Sequence, residues 1–420
     1  MIAVTLTKPS HIRQANASAA DSIEIRTDLY PKAQFSSLLA KCRKPVIFTI
    51  KTPQTVLLDF IDHPVVRYVD IDYRLTQQIR DFLDVRPAHV KLIVSFHDFQ
   101  KTPTWQQMQQ RVKQLRRWRP DIIKVATMIR HFDDLGIIMR LQKHYGKKII
   151  AIGMGDLGIM TRIYNRAFCT YARLSSDKAI APGQTTVTQL QHTQIFGLVG
   201  EDIQHSLSPV IHRNGFQQHH LPHIYQLWET NNLALFMQVF KWFGLPGASV
   251  TKPFKKPIVR YLDGLDQPAR RIGAVNTLVR RGTKVIGYNT DWIGAKLALR
   301  GHWRGKKVLI LGAGGVAAAV AYAANQAQAK SVTMLRREDI PTDEDDFDIL
   351  INATPVYDMI LVPEDALYSR IVMDCNYVTK TELLKHAEHR ARVVLDGLPM
   401  LHYQAAEQFK LWTGLSYTDI

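Results

Sequence analysis

The chain has 420 residues, 46% of them hydrophobic and 22% charged, with a formal net charge of +17. This composition can bury two or three globular units and excludes a disordered tail. No apolar run reaches the ~18 residues of a membrane span, and Met1 to His11 lacks a basic flank leading into a long apolar core, so neither a membrane protein nor a cleaved signal is expected. Cys42, Cys169 and Cys375 lie far apart with no C-x-x-C spacing, which argues against a disulfide framework or a thiolate zinc site and fits a reducing cytoplasm. The positive charge is spread along the chain. Its densest run, Arg111 to Arg119, reads as the wet face of a helix with Trp118 turned inward, so no nucleic-acid partner is expected. Such a charge also draws carboxylate and phosphate metabolites into a cleft.

In chain order, eight β-rich runs come first: Ile2 to Leu6, Ser22 to Thr27, Val46 to Ile50, Tyr68 to Tyr73, Lys91 to His97, Ile122 to Thr127, Ile149 to Met154 and Phe168 to Leu174. Segments long enough for a helix separate most of them, which predicts a compact, closed (β/α)8 barrel over residues 1–190. The linker from Lys51 to Arg67 is short for a loop, helix and return. Polar residues stand at the strand ends, in Glu24-Ile25-Arg26, Asp70-Ile71-Asp72, His97-Asp98 and Lys124, where barrel enzymes carry their chemistry. A lysine on the apolar strand Ile122-Ile123-Lys124-Val125-Ala126 is expected to lose charge and become nucleophilic, with His97 on the preceding strand as proton shuttle. Taken alone, such a lysine reads sooner as half of a buried salt bridge.

The polar stretch Thr185 to Gln194 ends this pattern, and Ile195-Phe196-Gly197-Leu198-Val199-Gly200 restarts it. A lobe over 195–300 is expected, joined by a C-terminal helix in 398–420, with a dinucleotide lobe over 301–397. In the first lobe Ser206 and Ser208 place two hydroxyls two residues apart, and Lys255 and Asp291 offer a proton-exchanging pair, though as an unaligned pair they read more readily as a surface ion pair. His219, His220 and His223 lack an acidic or thiolate partner at fitting spacing, so no metal is expected. The run Val308 to Ala319 carries an apolar strand into the turn Gly312-Ala313-Gly314-Gly315-Val316 and an alanine-rich helix. Glycines let the backbone approach a pyrophosphate, and the helix N-terminus meets its charge. Arg336 and Arg337, after the next apolar stretch, suit a 2′-phosphate, which predicts NADP(H).

Five ordered segments, Glu24-Ile25-Arg26, Ser95-Phe96-His97-Asp98, Asp121-Ile122-Ile123-Lys124, Met154 to Arg162 and Ala181-Pro182-Gly183-Gln184, resemble type I 3-dehydroquinate dehydratase over residues 1 to about 190. The resemblance implies that Lys124 forms a Schiff base with a ketone and that His97 moves the proton. It also implies that Arg162 and Gln184 hold carboxylate and hydroxyls, with Glu24 and Arg26 facing the substrate. Three positions depart from that family: Asp72 replaces a glutamate expected to orient the histidine, Lys51 replaces a substrate-facing arginine, and Ile180 replaces a serine.

The segments around Ser206, Thr251 and Lys255, with Ile272 to Thr277, Gly287 to Asp291, the Gly312 turn, Ile351 to Pro355 and Met400 to Gln404, resemble shikimate dehydrogenase over residues 195–420. That likeness implies shikimate contacts at Ser206, Ser208, Thr251, Asn276 and Gln404, and an acid/base pair at Lys255 and Asp291. Cofactor contacts are implied at Gly312, Ala313, Gly314, Gly315, Val316, Arg336, Arg337, Asn352, Thr354 and Met400. Ser249 stands where that family has an asparagine. The two resemblances imply a fused enzyme that dehydrates 3-dehydroquinate and then reduces 3-dehydroshikimate to shikimate, acting as a monomer or homodimer. Two other readings stay open: a dehydrogenase with a degenerate barrel, and a metabolite-sensing regulator.

Overall fold

The computed structural model describes residues 1–53, 58–336, 347–368 and 370–417. They form two compact units, Met1–Gln194 with Ala234–Gly244, and the rest of the chain from Ile195 onward. Residues 234–244, assigned from sequence to the lobe beginning at 195, thus belong to the first unit, where Phe236 packs on Phe132 with ring centroids 5.6 Å apart. No helix among the described residues is long and apolar enough to cross a membrane.

In the first unit the parallel strands are β1 (Ile2–Thr5), β2 (Ser22–Arg26), β3 (Val46–Ile50), β4 (Val66–Asp72), β5 (Lys91–Asp98), β6 (Ile122–Met128), β7 (Ile149–Met154) and β8 (Thr170–Arg173). Their order is β7-β6-β5-β4-β3-β2-β1-β8, so the first and last strands in sequence lie side by side. Near-continuous apolar runs such as Val46 to Ile50 are buried throughout, as strands covered on one face by helices and on the other by a filled interior require. The helix Trp105–Arg116 turns Met108, Val112 and Leu115 inward at helical spacing. It stops two residues short of Trp118, which is half-buried beyond the helix and not on its inner face as expected.

The closed barrel expected from sequence is left with a seam. Among the described residues β7 and β8 share no ladder, and the main-chain bond from Phe168 N to Ile149 O (2.9 Å) crosses the gap at its amino end. The chain after β7 folds back over its own strand, with Gly158 against Gly153, and runs into the short helix Ile159–Ile163. From there Arg162 Nη1 donates to the Tyr171 carbonyl on β8, and Gln184 Nε2 to that of Ala172, both at 3.2 Å. Side chains therefore bond the backbone of β8 beside the gap. The tight linker Lys51 to Arg67 holds only the single turn Leu58–Ile61 among its described residues.

The second unit contains two sheets. The first, β9 (Ile195–Gly200), β10 (Ile224–Glu229), β11 (Gly247–Val250), β12 (Gly264–Leu265), β13 (Thr277–Arg281) and β14 (Lys284–Tyr288), runs β10-β9-β11-β13-β14-β12. The second is wholly parallel: β15 (Lys307–Leu311), β16 (Ser331–Leu335), β17 (Ile349–Asn352), β18 (Ile371–Asp374) and β19 (Val393–Leu395), ordered β16-β15-β17-β18-β19. Its order reverses at β15, and doubly wound sheets bind ligands at the carboxyl ends flanking such a switch. The helix Leu398–Thr413 returns to the first sheet, where Phe409 joins a buried cluster with Phe196, Phe216 and Tyr225.

The fold-back after β7 is sterically tight. A Cβ on Gly158 would lie 2.4 Å from the Gly153 carbonyl carbon and 2.6 Å from the Met154 oxygen, all main-chain atoms that cannot rotate aside. Gly158→Ala is expected to destabilise the first unit by about 1–3 kcal/mol through overpacking, read as a lower denaturant midpoint for that unit; an unchanged midpoint would show that the turn can yield.

Candidate active sites

Side chains of a strand alternate between faces, so Asp70 and Asp72 of β4 enter the barrel together. With Glu24, Lys51, His97, Lys124 and Arg162 they surround a cavity of ≈ 250 Å³, Asp70 beneath Lys124 and the others at its wall. The Lys124 ammonium, 5% exposed, donates to Asp70 Oδ2 at 2.6 Å, lies 4.0 Å from Glu24 Oε1, and sits 3.9 Å from the centre of the Tyr171 ring. Burial opposes the charge on Asp70, but Lys124, then Lys51 and His97, outweigh it and hold the carboxyl below its ordinary range. Glu24 is held by Thr5 Oγ1 at 2.6 Å and Thr49 Oγ1 at 2.9 Å.

His97 lies between opposite charges. Asp72 Oδ2 is 3.5 Å from its Nδ1, while Lys51 Nζ stands 3.0 Å from Nε2 and 3.2 Å from Nδ1. The ring's two lone-pair directions diverge, so an ammonium near both nitrogens lies against the ring rather than on either lone pair. Burial, reinforced by Lys51 and opposed by Asp72, brings the imidazole down to about 4. Burial also pushes the Lys51 ammonium down to about 8, against Asp70 and with Lys124. His97 is therefore a neutral base at ordinary pH. Arg162 is a buried guanidinium whose described partner is the Tyr171 carbonyl, with Nε unbonded; burial brings it down to about 10 despite Glu24. Such a group suits an incoming carboxylate.

Of the other residues expected here, Arg26 lines the cavity but is paired with Asp28, at 3.0 and 2.5 Å. Gln184 is committed to the protein. Its amide nitrogen donates to Thr5 Oγ1 and the Ala172 carbonyl, and its oxygen accepts from Ile180 N at 3.0 Å. Sequence reasoning passed over Asp70 as the partner of Lys124, although its two-residue spacing from Asp72 already sent both carboxylates inward. It also passed over Arg74 and Phe99, which line the cavity mouth.

In the second unit, Lys255 Nζ donates to Asp291 Oδ2 at 2.6 Å beside a cavity of ≈ 180 Å³ lined by Ser206, Ser208, Thr251, Asn276 and Gln404. Both partners are largely covered, at 16% and 7% side-chain exposure, so this is no surface ion pair. Asn276 joins the parts: Nδ2 donates to Asp291 Oδ1 at 2.8 Å and Gln404 Oε1 at 3.3 Å, while Oδ1 accepts from Thr290 N at 2.7 Å. Ser206 donates to Ser208 at 3.1 Å. Tyr377, absent from the sequence expectations, lines the same cavity and bonds Ser206, its phenol raised by burial against that bond. Ser249 has its hydroxyl engaged, accepting from Tyr225 Oη and donating to Gln408 Oε1, both at 2.7 Å.

The glycine turn fits a dinucleotide. Gly312 has φ +120°, which L side chains rarely adopt; a Cβ on Gly314 would meet nothing within 4 Å, leaving room for phosphates before the helix Gly315–Gln326. Gly315 approaches the Lys255 stem so closely that a Cβ there would lie 3.4 Å from Lys255 Cβ. Val316 and Met400 line the cavity beside Lys255. Asn352 and Thr354 shape the turn after β17, with Thr354 N and Oγ1 donating to Asn352 Oδ1 at 2.9 and 2.7 Å. Arg336 is exposed just beyond edge strand β16, a fitting place for a 2′-phosphate, and Arg337 lies outside the described residues. No cluster of potential metal ligands occurs among the described residues.

Comparison with known proteins places both units in families. Residues 5–194 match the family model for type I 3-dehydroquinase, residues 198–278 the shikimate dehydrogenase substrate binding domain, and residues 397–416 the shikimate 5′-dehydrogenase C-terminal domain. The bifunctional 3-dehydroquinate dehydratase/shikimate dehydrogenase of Arabidopsis thaliana, a chloroplastic protein, is 28% identical over 96% of this chain and 79% of its own length. The NADP(+) shikimate dehydrogenase of Pyrococcus abyssi is 38% identical over 54% of this chain and 94% of its own. A crystal structure of a shikimate dehydrogenase in complex with NADP+ superimposes with a TM-score of 0.50 at 34% identity, covering 53% of this chain and 91% of that one. The chain belongs to the shikimate dehydrogenase family, in the bifunctional form that carries a type I 3-dehydroquinase domain ahead of the dehydrogenase.

Proposed function

We propose that the barrel dehydrates 3-dehydroquinate through an imine on Lys124, and that the second unit reduces the resulting 3-dehydroshikimate to shikimate with NADPH. The observation that carries the imine is the buried Lys124 amine at the cavity, with a carboxylate at 2.6 Å and a neutral imidazole beside it. Lys124 gives one proton to His97, the free amine adds to the ketone carbon, and that proton leaves in the water released as the C=N bond forms. Asp70 then faces an iminium cation and stabilises it. The iminium draws electrons from the adjacent carbon, so His97 can take that carbon's proton; the electron pair expels the hydroxyl one carbon further on, which leaves as water with the proton from His97. A water molecule hydrolyses the imine and frees Lys124, for a net loss of one water. Arg162, the buried guanidinium, receives the substrate carboxylate.

In the second unit the Lys255 and Asp291 pair holds the proton that the substrate oxygen takes up. NADPH, when bound, supplies the hydride. Asn276 orients Asp291, while Ser206, Ser208 and Tyr377 receive the carboxylate and Thr251 and Gln404 the hydroxyls. The Gly312 turn receives the pyrophosphate, and Arg336 the 2′-phosphate. Three free cysteines, two of them buried, suit a cytoplasmic setting.

Borohydride added with 3-dehydroquinate is expected to trap an adduct on Lys124, and 3-dehydroquinate plus NADPH to yield shikimate; Lys124→Ala should abolish both while leaving reduction of supplied 3-dehydroshikimate intact. Absence of an adduct, or unchanged turnover in the variant, removes the imine. His97 has moved from 6.5 to about 4, so it stays neutral and basic down to that range, and the acid limb of dehydratase kcat/KM is expected near pH 4 rather than 6.5. The same shift acts on stability: between pH 6.5 and 4 the unfolded chain takes up a proton that the folded one does not, so this group destabilises the fold as pH falls through that window. Arg336→Ala should weaken NADPH binding roughly tenfold to a hundredfold, as loss of a charge-assisted bond does, with NADH unaffected; equal losses in fluorescence titrations would refute the phosphate contact.

A further inference from the structure

The dehydratase pocket contains a pairing that the roles above leave unused. Arg74, just past the end of β4, holds the Asp72 carboxylate with both arms of its guanidinium: Nε to Oδ1 at 2.7 Å and Nη2 to Oδ2 at 3.0 Å. Its main-chain N–H adds a third bond to Oδ1 at 3.2 Å. Asp72 is almost wholly buried, whereas the Arg74 side chain is 66% exposed and lines the cavity mouth. A carboxylate's last torsion is broad and nearly two-fold, so an aspartate without such a partner can swing its oxygens freely. The planar fork removes that freedom.

This matters because Asp72 reaches His97 only loosely, at 3.5 Å, and is a single methylene too short to close the gap. On its other side His97 meets the Lys51 ammonium, which repels a ring proton, and the stacked ring of Phe99 at 6.2 Å. Lys124 and Asp70 complete the charged groups around it. Asp72 is thus the group that can keep the Nδ1 proton on its own side and leave the Nε2 lone pair for the substrate. We propose that Arg74 is the positioning residue of the dehydratase: by clamping Asp72 it fixes the tautomer and tilt of His97 across a gap that the aspartate alone does not bridge. The proposal rests on the imine reading of the barrel.

The test measures dehydration and borohydride trapping in the full chain for wild type, Arg74→Ala, Arg74→Lys and the double variant Arg74→Ala/Asp72→Glu. With Arg74 gone, kcat is expected to fall roughly tenfold to a hundredfold, the scale of a misplaced catalytic group, with KM little changed and the Lys124 adduct still formed, which certifies a folded pocket. Arg74→Lys, which keeps the charge but loses the fork, should fall as well. The acid limb should rise above its wild-type position, because the Asp72 charge, no longer neutralised by a guanidinium, favours protonated His97. Asp72→Glu, longer by about 1.5 Å, should restore most of kcat by bonding His97 directly. A raised KM with kcat intact would make Arg74 a substrate contact, and unchanged kinetics or failed rescue by glutamate would make it structural; each overturns the proposal. If wild type forms no adduct, the imine reading fails and this one falls with it.

Discussion

A positive charge held inside a barrel is the constraint around which the first unit is organised. An ammonium removed from water must find a counter-charge, because the penalty for leaving it alone amounts to several kcal/mol. Lys124 finds Asp70, and Asp70 in turn is surrounded by cations that keep it ionised. Glu24, Thr5 and Thr49 form a second ring of bonds beside that pair. The same electrostatics that make the lysine tolerable suit the proposed imine route, in which an iminium would replace one cation by another at nearly the same place. Asp70 needs no rearrangement to serve both.

The seam between β7 and β8 belongs to the same economy of charge and hydrogen bonding. Two carbonyls of β8 accept from Arg162 and Gln184. Those side chains project from the segments that follow β7 and β8, so the segments that flank the cavity are tied to the barrel wall. This accounts for the commitment of Gln184 to protein groups. Arg162, bonded through a single carbonyl among the described residues, keeps donor capacity for a ligand.

The second unit surrounds its own ion pair with neutral groups. Lys255 and Asp291 are paired where two sheets meet, and Asn276 fixes the carboxylate through an amide that also bonds Thr290 and Gln404. The helix Leu398–Thr413 supplies both Gln404 at the cavity and Gln408 beneath it, where Ser249, Tyr225 and Thr277 share a buried network. The C-terminal helix therefore lines the cavity as well as the core. Close contact of Gly315 with the lysine stem brings the glycine turn to the Lys255–Asp291 pair.

Much was legible in the sequence where the information is local. Strand runs show in their β-branched and apolar residues, the glycine turn shows in its residues, and Lys124 stands out because charge on an apolar strand is costly wherever it occurs. The pairings Asp70 with Lys124 and Lys51 against His97 depend on which strands become neighbours and on register, which no local pattern encodes. The open seam likewise depends on how the chain after β7 folds back, and the place of residues 234–244 in the first unit on which apolar surface that helix meets. Sequence determined which groups are expensive to bury; only the tertiary structure decided which partner meets each of them, because desolvated charges are settled by distances of a few ångströms between segments far apart along the chain.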